Sequence, residues 1–362
     1  MKALVLITDY PRPDGTHAYM FAHVRNQYYA KHDIDVTVLN FASGKDYCID
    51  GINVITLSTY QSRPEAYDVL ISHASNLRNH YRFIRKYGER FRRIFFFFHG
   101  QEVLYLNESY PEPYPFVSKN SLPRKLFRQG YDWLKLRLWS GYYRELAVKS
   151  EFIFVSQYIF DMFKKNTRLS DADLLGHAHI IHNSIGEVFE HASYDITAPK
   201  TYDFITIRSN WDSSTYCIDL LVKLAEQNPD SRFLLIGRGS FFQHHKVPDN
   251  MELVAKTISH REMVAYLNCA KCAINLTRQD TQGVMTCELI SFGIPVITSD
   301  IPVCRALFSD IDNLRMISND LPADIRSISR ELSKKLPYGK VDTFNACNTV
   351  AREVALLKSS QD

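Results

Sequence analysis

The chain has 362 residues, 45% of them hydrophobic, and 43 basic against 40 acidic side chains give a net charge of +3. That length holds two domains of ordinary size, and so nearly balanced a charge does not point to nucleic acid as a partner. No apolar run approaches the length that spans a bilayer, and seven scattered cysteines predict free thiols in a reducing compartment.

Lys2 to Thr8 reads as a strand, so the chain starts directly on a structural element and a cleavable leader is not expected. Asp9 to His17 is a Pro/Gly-rich loop in which Gly15 would let backbone approach a ligand closely. Met20, Phe21, Val24 and Tyr28 recur at helical spacing within Ala18 to Lys31, and Ile34 to Leu39 is a second strand. This β–loop–α–β unit predicts an α/β domain with a parallel sheet. Val54 to Leu57, Val69 to Ser72, Ile94 to Phe98 and Glu151 to Ser156 continue it as strands, with helical stretches between them. His99 follows a run of four phenylalanines and would stand at the carboxyl end of its strand, where open α/β sheets bind ligands.

Residues 116–150 carry Arg124, Lys125, Arg128, Arg137 and other cations interleaved with Leu126, Phe127, Trp133, Leu134 and Trp139. A basic-aromatic helix of this kind suits either a membrane interface, where each cation near anionic lipid contributes about 1 kcal/mol, or packing on its aromatic face. Gly186 to Lys200 loses periodicity and gathers Pro and acidic residues, so the domains are expected at 1–188 and 203–340, joined by a linker at 189–202.

In the second domain Tyr202 to Arg208, Phe233 to Gly237 and Met251 to Thr257 read as strands, and Ser259 with Glu262 forms a capping box. Cys269 and Cys272 have zinc-like spacing with no second pair, and are read as structural; no metal site is expected. Ala273 to Thr277 is a buried strand, Arg278 to Gly283 a polar loop, and Val284 to Phe292 a short helix stopped by Gly293 with Pro295 just beyond. Such a strand–loop–helix brings the unpaired N–H groups of Val284, Met285 and Thr286 together at the positive end of the helix dipole, an anion site. Asp280 and Glu288 flank it. Carboxylates repel a diphosphate but accept two sugar hydroxyls at once. Glu288 is therefore assigned to a ribose diol and Asp280 to a second sugar, with the diphosphate between them: a nucleotide-diphosphate sugar.

Asp280-x7-Glu288 followed by Gly293, Pro295 and Val296 resembles the paired-acid motif of the retaining GT-B glycosyltransferases of family 4. Asp stands where the family has the first Glu, shortening the reach by roughly 1.5 Å. Gly15 resembles part of the family's Gly pair, His99-Gly100 its His-Gly strand end, and Arg208 its diphosphate-binding Arg. The Lys expected a few residues later is missing, with Tyr216 at its place; Arg278 or Lys256 is a candidate substitute.

The resemblance implies a GT-B fold, two Rossmann-like domains facing each other across a cleft, with a terminal helix in 341–362 crossing back to the first. By the same likeness the backbone at Lys256 and Thr257 would face the nucleobase, and His99 would hydrogen-bond the transferred sugar. It further implies a retaining, metal-independent transferase with no cofactor beyond its nucleotide-sugar donor, UDP favoured. A lipid-linked or oligosaccharide glycan of bacterial surface polysaccharide is the expected acceptor, at the cytoplasmic face of the membrane, with a soluble small molecule as the other candidate. The alternative is a non-catalytic GT-B protein that binds a nucleotide sugar or stabilises a partner transferase. A nicotinamide oxidoreductase is disfavoured because Gly237-Arg238-Gly239 lacks the third glycine and the helix of a dinucleotide fingerprint.

Overall fold

The computed structural model describes residues 1–13, 18–63, 65–118, 121–320 and 323–359; Gly15 lies outside them. The chain divides into two units, one comprising residues 1–106, 128–184 and 346–362, the other 107–127 and 185–345.

The first unit is built on β1 (Lys2–Ile7), β2 (Asp35–Asn40), β3 (Tyr47–Ile49), β4 (Ile52–Ile55), β5 (Val69–His73), β6 (Arg93–Phe98), β7 (Ser150–Phe154) and β8 (Ala178–Ile180). They lie in the order β3-β4-β2-β1-β5-β6-β7-β8. All neighbours are parallel except the hairpin β3–β4. Its turn is Asp50-Gly51, with φ of 49° and 78°, the left-handed pair that matches strand twist in a two-residue hairpin. The central strands β1, β5 and β6 are buried beyond Lys2 and Arg93 at their starts, Phe95 to Phe98 included, which is why they read as apolar runs.

Helix Met20–Lys31 does not bury the stripe its sequence suggests. Its buried residues are Ala22, His23, Arg25, Asn26 and Tyr29, while Met20 is exposed and Phe21, Val24 and Tyr28 are half-buried. The polar groups are admitted because each finds a partner. His23 Nδ1 and Tyr10 Oη are 2.8 Å apart, and Asn26 Nδ2 donates to the same Oη at 3.0 Å. Arg25 Nε donates to Glu353 Oε1 at 3.0 Å, Arg25 Nη1 to Asn183 Oδ1 at 2.8 Å, and Tyr29 Oη to Glu353 Oε2 at 2.5 Å. Glu353 belongs to the terminal helix Val350–Ser359, whose Val350, Val354 and Leu357 join the same core. The end of the chain is thus part of the first unit.

The second unit holds β9 (Tyr202–Arg208), β10 (Phe233–Gly237), β11 (Met251–Val254), β12 (Ala270–Asn275), β13 (Val296–Ser299) and β14 (Leu314–Ile317). Their order is β11-β10-β9-β12-β13-β14, all parallel. Counted from the first strand this is 3-2-1-4-5-6, the Rossmann arrangement, and its direction reverses between β9 and β12. Residues 189–202, read from sequence as a linker, fall inside this unit, where Tyr194 N donates to Phe292 O at 2.8 Å.

Removing Glu353 would leave the Arg25 guanidinium buried without its counter-charge. Glu353→Ala is expected to cost about 3–5 kcal/mol of stability, measured as a lowered urea midpoint at unchanged m-value.

Candidate functional site

Ligands of open parallel sheets bind where the strand order reverses, outside the carboxyl ends. In the second unit that places β9, ending at Arg208, beside β12, whose chain continues through the loop 276–283 into helix Val284–Phe292. The two loops are stitched together by Arg278. Its N–H donates to Thr215 O at 2.9 Å, its Nη1 to Ser214 O at 2.6 Å, and its two terminal nitrogens grip Asp219 at 2.9 and 2.6 Å. Tyr114 Oη donates to the same carboxylate at 2.6 Å. Arg278 is therefore committed to holding the loops and does not substitute for the missing Lys.

Helix Val284–Phe292 starts and stops on glycines. Gly283 precedes it with φ 76° and Gly293 ends it with φ 89°, its N–H donating to Leu289 O and Ile290 O. The N–H groups of Val284, Met285 and Thr286 make no hydrogen bond within the described residues. Thr286 is fixed by Asn275, whose Nδ2 donates to Thr286 Oγ1 at 2.7 Å. Asp280 organises the approach: its Oδ1 accepts from the N–H groups of Thr281 at 2.8 Å and Gly283 at 2.9 Å. A short carboxylate suits this local turn, a reason for Asp in place of Glu that the sequence reading did not supply. Oδ2 makes no hydrogen bond within the described residues.

Arg208 is 6% exposed. Its Nη2 donates to Leu276 O at 2.5 Å and its guanidinium lies 4.7 Å from the centre of the Tyr216 ring, a cation–π contact. Its Nε is buried without a partner, and no carboxylate of the described residues comes within ion-pair distance. Burial lowers its pKa, opposed by Tyr216 and Asp280. Two glycines let the backbone close over this strand end: a Cβ on Gly237 would stand 1.7 Å from Arg208 O, and one on Gly239 2.8 Å from Trp211 Cβ.

Glu288 is 5% exposed. Its Oε1 accepts from Gly186 N at 3.2 Å and lies 3.4 Å from His260 Nε2, while Oε2 makes no hydrogen bond within the described residues. Burial raises its pKa, opposed by His260 and the Gly186 amide. A Cβ at Gly186 would meet the His260 ring at 2.4 Å, so a side chain there would displace this histidine from Glu288. Neither Gly186 nor His260 was singled out from sequence; a loop glycine and a half-buried helix histidine give no signal until the fold brings them to Glu288. Ser259 and Glu262 do form the capping box, and Lys256 Nζ pairs with Glu262 Oε1 at 2.9 Å, so Lys256 is also engaged. Thr257 follows β11 beside it.

His99 lies in the first unit, just after β6. Its Nε2 is 3.1 Å from Nδ1 of His73, the last residue of β5, and its ring lies tilted by 38° against Phe21 with centres 4.1 Å apart. Burial holds both histidines well below their usual pKa, so they are neutral at pH 7. That state fits a hydrogen-bonding role rather than a charged one. Glu102 accepts from the N–H groups of His99 and Gly100 and fixes this turn. No group of three His, Cys, Asp or Glu side chains among the described residues is arranged to hold a metal.

No protein-family model matches the chain, and no curated protein sequence does. Solved structures do. Sucrose-phosphate synthase from Thermosynechococcus elongatus superposes with a TM-score of 0.69 at 11% identity, over 99% of this chain and 98% of that one. A glycosyltransferase from Rickettsia africae gives 0.68 at 9% identity, over 100% and 98%. WaaG, a glycosyltransferase involved in lipopolysaccharide biosynthesis, gives 0.57 at 12% identity, over 100% and 96%. The fold is GT-B. Within it, Arg208, the amides of residues 284–286, Asp280 and Glu288 come from one Rossmann-like unit, while His99 belongs to the other.

Glu288 yields a pH-dependent prediction. Its folded pKa is raised above its unfolded value near 4.3, so ionising it costs stability as pH rises from that value through the raised one. Glu288→Gln cannot ionise. Its stability relative to wild type should therefore improve between pH 4 and pH 7 in urea titrations.

Proposed function

We propose that the protein is a retaining glycosyltransferase that moves a sugar from a nucleotide-diphosphate donor, UDP favoured, to an acceptor hydroxyl. The observation that carries this reading is a buried Arg208 with no carboxylate partner among the described residues, on the strand beside the one that leads into a helix whose first three amides are unpaired there. A buried guanidinium without a counter-charge is costly unless an anion is bound, and free amides at a helix start are a ready anion site. A diphosphate satisfies both at once, and Glu288 Oε2 and Asp280 Oδ2 remain to accept from sugar hydroxyls on either side.

In this mechanism the leaving diphosphate gathers charge as the glycosidic bond breaks, and fixed N–H dipoles and the guanidinium meet that charge where it develops. The acceptor hydroxyl attacks from the same face and gives its proton to the departing phosphate oxygen, so retention needs no protein base. His99 hydrogen-bonds the transferred sugar, and Lys256-Thr257 faces the base. The charge is met by protein groups, so EDTA is expected to leave activity unchanged. With Arg278 and Lys256 paired elsewhere, Arg208 is the main cation for the diphosphate. Arg208→Ala should lower kcat by about 10²–10³-fold, and a thermal-shift panel should show stabilisation by UDP- over GDP-, dTDP- and ADP-sugars that the variant loses.

We place the acceptor at a membrane surface, in assembly of a bacterial surface polysaccharide on the cytoplasmic side. No helix of the described residues is long and apolar enough to cross a bilayer, so contact would be peripheral. Helix Leu122–Leu146 supports it: Leu136, Trp139, Tyr143 and Leu146 are buried, while Leu126, Phe127, Trp133, Leu134 and Leu138 are exposed. At 100° per residue these two sets lie on opposite faces. Phe127 is 77% and Trp133 58% exposed, and Arg124, Arg128 and Arg137 carry no ion pair among the described residues. An apolar face rimmed by unpaired cations suits an anionic lipid surface. Sedimentation with phosphatidylglycerol vesicles should carry the protein down, and Phe127→Gln with Trp133→Gln should leave it in the supernatant at unchanged thermal stability.

The second reading is a GT-B protein that binds a nucleotide sugar without turning it over. The position of the family's Lys favours it, because Tyr216 there covers Arg208 and supplies no positive charge. Nucleotide binding with no transfer or donor hydrolysis for any sugar would decide for it.

A further inference from the structure

The first unit contains a cavity of about 290 Å³ lined by none of the candidate site residues, at the lower end of the range for small-molecule sites. Phe41 follows β2, Leu57 follows β4, and Arg78 and Asn79 follow β5, so the cavity opens at the carboxyl edge of the sheet. Phe41, Phe83 and Tyr87 form an aromatic lining, with ring centres 6.3 Å apart for Phe41–Phe83 and 4.9 Å for Phe83–Tyr87. Gln61 Nε2 donates to Tyr87 Oη at 3.2 Å and closes one wall.

Three cations stand over this lining: Arg78, Arg82 and Lys86, at steps of four residues. Arg78 and Arg82 make no hydrogen bond or ion pair among the described residues, and Lys86 lies over the Tyr87 ring at 5.1 Å. No carboxylate of the described residues pairs with them. The one carboxylate between 77 and 93, Glu89, is taken by Lys149 at 2.8 Å, and Glu145 is taken by Arg85. A row of like charges four residues apart opposes helix formation. The segment begins as a π-helical turn, Leu77–Tyr81, capped by Asn76 Oδ1 accepting from Asn79 N at 2.8 Å. Such turns are frequent at functional sites.

We propose that this cavity binds a phosphate monoester. Two forked guanidinium groups and an ammonium match a dianionic phosphate better than a single carboxylate. The aromatic lining takes the apolar face of whatever carries the phosphate, a sugar ring or the glycerol end of a lipid. The binding site stands on its own geometry. Its use as the subsite that holds a phosphorylated acceptor rests on the transferase reading.

Isothermal titration of the full chain tests it with four probes: glucose 6-phosphate, glucose, dihexanoyl phosphatidic acid and UDP. At least one of the two phosphate monoesters should bind, glucose should not, and Arg78→Ala/Arg82→Ala should weaken that monoester by about tenfold or more. Which monoester responds identifies the carrier as sugar or lipid. Both arginines are exposed, so the double variant is expected to stay folded and to bind UDP as wild type does. Binding of neither monoester, or binding that the double variant leaves unchanged, overturns the proposal. The UDP arm is read separately: its loss in wild type would refute the donor site and leave the phosphate result to stand or fall alone.

Discussion

The second unit depends on one uncompensated charge. Arg208 is buried at the end of β9 with a carbonyl and an aromatic face for company, and no carboxylate of the described residues pairs with it. A buried guanidinium left so is destabilising, and the surrounding chain is shaped to keep it in place. Gly237 and Gly239 give up their side chains so that the backbone can pass over it, and Arg278 spends its own charge tying together the loops after β9 and β12. The strand order sets all of this up. Because β9 and β12 are adjacent while their connections leave in opposite directions, the end of one and the helix following the other open on the same edge.

Much of this was legible in the sequence because it depends on local chemistry. Helix Val284–Phe292 was readable to the residue, since Gly283 and Gly293 are punctuation that only a short, tightly bounded helix needs. Strands Tyr202–Arg208 and Phe233–Gly237 were equally plain, being apolar runs of strand length. The Asp50-Gly51 hairpin carried its signal too, a dipeptide that favours left-handed backbone, but the short strands beside it are too weakly patterned to announce a pair.

What the sequence did not disclose depends on distant partners. Helix Met20–Lys31 turns a polar face inward because Glu353, over three hundred residues away, meets Arg25 and Tyr29. Hydrophobic periodicity selects the opposite face, and it has no means of anticipating a buried ion pair. Gly186 and His260 stay anonymous for the same reason, gaining meaning only beside Glu288. Asp280 is the subtler case. Read as a shortened Glu it looks like a defect in reach, whereas in place its Oδ1 holds the turn that presents the helix start. The missing Lys became Tyr216, which keeps the guanidinium company without adding charge.

The central claim is that the amides opening helix Val284–Phe292 grip a diphosphate. Amide-resolved NMR of the isotope-labelled protein during titration with UDP addresses it directly. The account predicts that the Val284, Met285 and Thr286 N–H resonances move downfield together and gain protection from exchange with a common dissociation constant. If UDP saturates the protein while those three resonances stay unmoved, the diphosphate lies elsewhere and the account is contradicted.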